Sequence, residues 1–384
     1  MKNRPLIASY YFPNWHVDPR NEKLHGTGWT EWNVTRCALP RFPGHVQPKT
    51  PIWGYEDESV PTVMERKIEA AANHGIDAFL FDWYYYPDGS YRERCLNEGF
   101  LKAANRDRIK FAIMWANENP VLAHPRSWKT PSDFHPWNGE TDAETFRAAT
   151  GHCIDTFMRE PNYLRIGDGA YFELYCPERF VKTVGGMETS RALVREFRDR
   201  VEKAGLGKLT FCGNFAGLPD GRVKGIAAVN DFCRALGLDM TASYGGAPYD
   251  AEFPAADYFA WQSYLFEARH EFYSDRLELP YNPHAQAGWD SSPRTVASDV
   301  YEKSAGYPYN TVLINDTPEA FEKILRRFRE NFESGRFKGP ILNLSCWNEW
   351  TEGAYLEPDA QYGYGKLEAV KRVFGKQNDT ILQK

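Results

Sequence analysis

No apolar run in this 384-residue chain approaches the roughly 20 residues that a helix needs to cross a bilayer, and the mean hydropathy is −0.60. A membrane span is therefore not expected. Cysteine is sparse: the seven fall at 37, 95, 153, 176, 212, 233 and 346, with no C-x-x-C pair among them. Cys176, Cys212 and Cys346 lie in strand-like runs, where free thiols behave as small buried hydrophobes. A basic stripe is also missing. The 46 Lys and Arg are mixed with 52 Asp and Glu, for a net charge of −6, which argues against nucleic acid as a partner. The start, Met1-Lys2-Asn3-Arg4-Pro5, has no apolar stretch with a cleavage site behind it, so a cytoplasmic location is expected for the chain as written, or a periplasmic one if a leader was removed. Nucleotide-cradling G-x-G-x-x-G and P-loop patterns are absent, as are the zinc pattern H-E-x-x-H, the esterase elbow G-x-S-x-G, and any two Asp spaced as Asp-x-Asp. Neither a metal nor a cofactor is expected, and oligomeric state is not encoded in any pattern.

Aromatic residues are plentiful, with 24 Phe, 22 Tyr and 12 Trp making 15% of the chain, which excludes disorder. Short runs rich in β-branched and aromatic residues alternate with amphipathic stretches. The runs are Leu6–Phe12, Ile76–Trp83, Ile109–Trp115, Ala170–Tyr175, Leu209–Asn214, Asp239–Tyr244, Gln286–Asp290 and Ile341–Trp347. Helical periodicity marks Val60–His74, Arg92–Arg106, Ala143–Arg159, Ser190–Ala204 and Pro318–Gly335. Eight strands alternating with helices, and no phosphate cradle, predict an α/β fold: a (β/α)₈ TIM barrel with long βα-loop insertions, as one catalytic domain over residues 1–384. The insertions are Pro13–Ser59 and Glu118–Glu140, and Tyr244–Ala285 reads as a third irregular stretch.

Barrel chemistry sits at the C-terminal ends of the strands. Those ends carry Tyr10 and Tyr11, then Asp82 and Trp83, then Trp115, Asn117 and Glu118. They continue with Glu173 and Tyr175, Asn214, Tyr244, Trp289 and Asp290, and finally Trp347, Asn348 and Glu349. Indoles that stack on sugar faces, next to acids and amides that bond hydroxyls, are the composition of a carbohydrate site. The segment Trp347-Asn348-Glu349-Trp350-Thr351-Glu352-Gly353 places two carboxylates three residues apart, able to share one cleft if the chain turns there. Glycoside cleavage requires such a pair, one protonated and one ionised. Asp82, Glu118 and Asp290 are hydroxyl-binding acids or loop anchors, and His45 either reaches the cleft or packs its loop.

Five blocks carry a resemblance to a known family. They are Gly28-Trp29-Thr30-Glu31-Trp32; Pro43-Gly44-His45-Val46-Gln47-Pro48; Trp115-Ala116-Asn117-Glu118-Asn119; Gly288-Trp289-Asp290-Ser291-Ser292-Pro293-Arg294; and Trp347 through Tyr355 to Asp359. In this order they resemble the WbsX-type glycosyltransferase family of polysaccharide loci, which is itself similar to the endo-mannosidases of glycoside hydrolase family 99. The resemblance implies a (β/α)₈ barrel acting on a poly- or oligosaccharide, with Trp29, Glu31, Trp350 and Tyr355 joining the strand-end residues around the substrate. It further implies that Glu349 acts as a base on the sugar's own 2-hydroxyl and Glu352 as general acid and base, with retention of configuration. The chain departs from the family at Pro120-Val121-Leu122-Ala123-His124, where Trp and basic residues are usual.

A retaining glycoside hydrolase is thus the expected activity, with a sugar-nucleotide transferase as the alternative. A non-catalytic glycan-binding barrel is a third possibility; it predicts Glu349 or Glu352 buried against a basic partner instead of facing the cleft.

Overall fold

The computed structural model describes residues 4–122, 124–131, 134–215 and 223–375. Its strands are β1 (Leu6–Tyr11), β2 (Ala78–Tyr86), β3 (Lys110–Trp115), β4 (Gly169–Leu174), β5 (Lys208–Asn214), β6 (Met240–Ala242), a split β7 (Tyr281–Asn282 and His284–Ala285) and β8 (Ile341–Leu344). Neighbours pair in parallel in chain order. The halves of β7 close the ring, Tyr281 pairing with Thr241 of β6 and His284 with Asn343 of β8. This is the expected (β/α)₈ barrel.

The seventh strand was expected at Gln286–Asp290, and the structure corrects this: it ends at Ala285, and 286–290 is loop. Pro283 explains the misreading. It lacks an N–H, so it reads as a strand breaker, yet here it marks where one strand changes neighbours.

Helices cover the barrel where apolar spacing demands it. Pro318–Glu333 buries Phe321, Ile324, Leu325, Phe328 and Phe332, an i, i+3, i+4, i+7, i+11 stripe. Thr317 caps this helix through the Ala320 N–H at 3.2 Å, with Pro318 in the first turn. Two expectations fail in detail. Arg92–Arg106 is no regular helix but a wide turn at Cys95–Gly99 followed by a 3₁₀ turn at Phe100–Lys102. Gly99 is jammed against the Glu58 carbonyl, where a Cβ would lie at 2.0 Å. The stretch expected to be irregular after Tyr244 instead holds helices at Tyr258–Leu265 and Phe272–Arg276. Among the described residues no helix is long and apolar enough to cross a membrane.

Two features carry the chain from barrel to site. The end of β2 folds into a hairpin, Tyr84 pairing with Tyr91 and Tyr86 with Gly89 across Pro87-Asp88, and delivers Arg92 at φ 59°. Beyond β8, Asn348 pairs with Tyr355 and Glu349 with Ala354 around a 3₁₀ turn, Trp350–Glu352. Three residues per turn bring positions i and i+3 to one face, so Glu349 and Glu352 project together. Gly353 closes the turn at φ 62°, where a Cβ would meet the Asp290 nitrogen at 2.7 Å.

Candidate active site

The C-terminal mouth of the barrel holds a cavity of about 530 Å³ lined by Asp82, Glu118, Trp289, Arg294, Glu349 and Glu352, with many tyrosines. Arg294 is its organising group. Its Nε donates to Thr351 Oγ1 at 2.9 Å, Nη1 to the Tyr307 hydroxyl at 2.6 Å and to Glu352, and Nη2 to Glu31 at 3.1 Å and Glu349 at 3.2 Å. One guanidinium thus faces three buried carboxylates, an excess of negative charge that low-dielectric surroundings amplify.

The three acids respond differently. Burial works to raise Glu31, but the facing His124 and Arg294 outweigh it and hold its carboxyl well below the usual range. Burial pushes the His124 imidazole down to about 4, so the standing positive charges near Glu31 are Arg294 and, farther off, Arg92. Glu352 goes the other way: burial and the Glu349 charge push it up to about 8, against the Arg294 charge and the 2.6 Å hydrogen bond from Tyr307. The second Glu349 oxygen accepts from the Tyr244 hydroxyl at 3.0 Å and from the Cys346 thiol at 3.0 Å.

Asp82 sits beside the pair. Burial and then the Glu349 charge raise its pKa well above the ordinary value. Oδ2 accepts from Tyr244 at 3.1 Å, while Oδ1 is buried without a partner among the described residues. Asp82, Cys346 and Glu349 also bring potential metal-ligating atoms within 4.8 Å of one another. The Tyr244 hydroxyl lies in hydrogen-bond reach of all three, at 3.1, 2.7 and 3.0 Å.

Several expected sugar-binding residues lie elsewhere. Trp83 and Trp115 share strand parity with Phe81 and Ile113 and face the helices, Trp83 bonded to Glu93 at 2.7 Å and Trp115 stacked on Phe146. Trp347 packs on Phe79, and Trp350 stacks on Tyr355 at 3.9 Å. Tyr11 is buried against Met64. Asn117 clamps Cys176, and Asn348 ties the Phe12 N–H to Glu58. His45 and Gln47 hold Asp290 at 2.8 and 2.6 Å, and the Asp290 N–H holds the Glu352 carbonyl at 2.5 Å. These residues anchor the loops that support the site. Tyr10 lies deeper in the barrel, bonded to Glu173 at 2.8 Å, and Trp29 stacks on His25 at 4.3 Å.

Sequence reasoning passed over Tyr84, Arg92, Arg294 and Tyr307, all of which line the cavity. Parity with Asp82 on β2 would have found Tyr84. Arg294 stood inside a quoted block, but nothing local distinguishes it from a surface arginine.

Residues 7–370 match the profile of the family described as Glycosyltransferase WbsX. The chain belongs to this family. Curated relatives from two strains of Xanthomonas campestris pv. campestris, B100 and ATCC 33913, each described as uncharacterized protein WxcX, are 25% identical over 382 residues, 98% of this chain. This WbsX-family chain spans about half their length, 50% in each case. Among solved structures it is similar to the GH99 endo-alpha-mannosidase from Bacteroides thetaiotaomicron, at TM-score 0.56 and 16% identity, covering 96% of this chain and 95% of that one. A glycoside hydrolase-like protein gives TM-score 0.57 and 15% identity over 97% and 94% of the two chains. The fold and family are those of carbohydrate-active enzymes.

Proposed function

We propose that the protein is a retaining glycoside hydrolase that cleaves a poly- or oligosaccharide with Glu349 and Glu352. The observation that carries this reading is the placement of two carboxylates on one turn in one cavity: Glu349 and Glu352 project together beside Arg294, and burial with the Glu349 charge raises the Glu352 carboxyl. Both carboxylates pair with Arg294, as a mere binding barrel would have it, yet both also line the cavity.

In the proposed reaction Glu349 takes the proton of the sugar's 2-hydroxyl, whose oxygen closes on C1. The C1–O glycosidic bond breaks as Glu352 gives its proton to the departing oxygen. Glu352, now ionised, then deprotonates a water that opens the three-membered ring at C1, and Glu349 returns the proton to O2. Two displacements at C1 retain configuration. Tyr307 and Arg294 steady the Glu352 carboxylate between the steps, and Asp82, which lines the cavity, bonds a sugar hydroxyl.

The family's description favours a sugar-nucleotide transferase as the second reading. Incubation with a panel of bacterial polysaccharides and α-mannosides, without nucleotide and with a chelator, separates the two by mass spectrometry. Shortened glycans are expected. Products that appear only with a sugar nucleotide, or only with added metal, overturn the hydrolase.

A further inference from the structure

Four cationic side chains are buried among the described residues: Lys67, Arg92, Arg294 and Lys366. Lys67 is held by Glu58 and Glu357, each at 2.5 Å, Lys366 by Asp316 at 2.8 Å, and Arg294 by its three glutamates. Arg92 has no such partner. It is 7% exposed, no carboxylate of the described residues lies in ion-pair distance, and its Nε is buried without a hydrogen bond. The surroundings are aromatic: the guanidinium carbon lies 4.5 Å from the Tyr91 ring centre, 4.9 Å from Tyr84 and 5.1 Å from Phe12. Ring faces stabilise a cation but do not use its fork of N–H donors. Glu31 acts on Arg92 only as a charge beyond ion-pair distance, and an arginine withdrawn from water without a paired anion is costly.

The missing anion has a place to come from. Arg92 lines the same cavity as Glu349 and Glu352. It also shares a ring with Arg294, whose guanidinium lies 5.4 Å from the centre of Phe12. The two cations are therefore separated by no more than the sum of their distances to that ring, a span that adjoining sugar units bridge. The β2 hairpin fixes Arg92 rigidly, through the Tyr84–Tyr91 pairing and a 3.0 Å bond from its N–H to Asp18.

We propose that Arg92 binds the carboxylate of an acidic sugar, in the unit at or next to the one that Glu349 and Glu352 attack. This rests on the glycan reading above and narrows it to uronic-acid-type substrates. A planar fork matches a carboxylate or a phosphate alike. A cavity whose lining also carries Asp82, Glu118, Glu349 and Glu352 favours the monoanion over a dianionic phosphate.

Ligand-observed NMR titration of the purified chain tests this with matched probes: methyl glycosides of glucose, mannose and galactose, each beside its uronate and its 6-phosphate. In the wild type at least one uronate is expected to bind about tenfold or more tightly than its neutral partner. Arg92→Gln should erase that preference, read as the ratio of uronate to neutral-sugar affinity within the same variant, and Arg92→Lys, which keeps the charge but not the fork, should retain only part of it. The Lys variant serves on its own if the Gln variant does not fold, and a preference identical to wild type counts against the proposal. Equal binding of every matched pair overturns it, as does a preference that survives Arg92→Gln. Tighter binding of a 6-phosphate than of its uronate overturns the carboxylate in favour of phosphate. If the neutral glycosides bind and the uronates do not, only the acidic-sugar inference fails; if no sugar binds, the glycan reading fails with it.

Discussion

Glu352 does its proposed work because of where its proton sits, and two measurements probe that directly. Replacing it by Gln should lower turnover of an ordinary glycoside by about 10²–10⁴, whereas an aryl glycoside with a good leaving group should retain much of its rate. Equal losses on both substrates would argue against an acid role. Stability offers an independent readout. The Glu352 carboxyl is raised from 4.5 to about 8, so between these values the native chain keeps a proton that the unfolded chain has lost. The resulting stabilisation is full below the unfolded value and is lost as pH rises through the folded one. In thermal melts from pH 5 to 9 the wild type should therefore lose more stability than Glu352→Gln; parallel curves would contradict the shift. Arg294 carries the opposite burden. Arg294→Met leaves three buried carboxylates facing one another and should destabilise by about 3–5 kcal/mol in denaturant unfolding.

At the scale of elements, the turn after β8 is the critical piece, and its geometry was half visible in advance. The Glu-Trp-Thr-Glu spacing showed that two acids could share a cleft. What it did not show was the 3₁₀ turn, the left-handed Gly353 or the close approach of Asp290. Gly353→Ala should cost about 1–2 kcal/mol from backbone strain alone. It should also depress kcat by moving Glu352, which a melt and a rate assay on the same sample would separate. The helix Pro318–Glu333 lies behind the barrel, where Phe328 is buried. Phe328→Ala should lower stability by about 3–5 kcal/mol with KM unchanged. Strand parity accounts for the misplaced tryptophans. Trp115 ends β3 and Trp83 lies three residues inside the end of β2, both facing the helices, while Asp82 and Tyr84 line the cavity. A reading by strand ends finds the right rim and, without parity, the wrong faces of it.

Across the whole molecule, the barrel was legible because alternation of strand and helix is a property of the chain itself, and only β7 slipped, where Pro283 divides one strand between two neighbours. The electrostatics of the site were not legible, since they arise from residues far apart in sequence. Glu31, Arg294 and Glu352 meet only after the first long loop has folded over the mouth and been pinned there by His45 and Gln47 on Asp290. The aromatic excess likewise divides between packing and site: tryptophans mostly support the barrel, while tyrosines line the cavity. The proposed division of labour between Glu349 and Glu352 is tested most directly by following the anomeric configuration of the product by NMR as wild type, Glu349→Gln and Glu352→Gln act on a polysaccharide without nucleotide. Release of a reducing sugar with retained configuration by the wild type alone is the predicted result. Inverted product, or full activity in both variants, would contradict it.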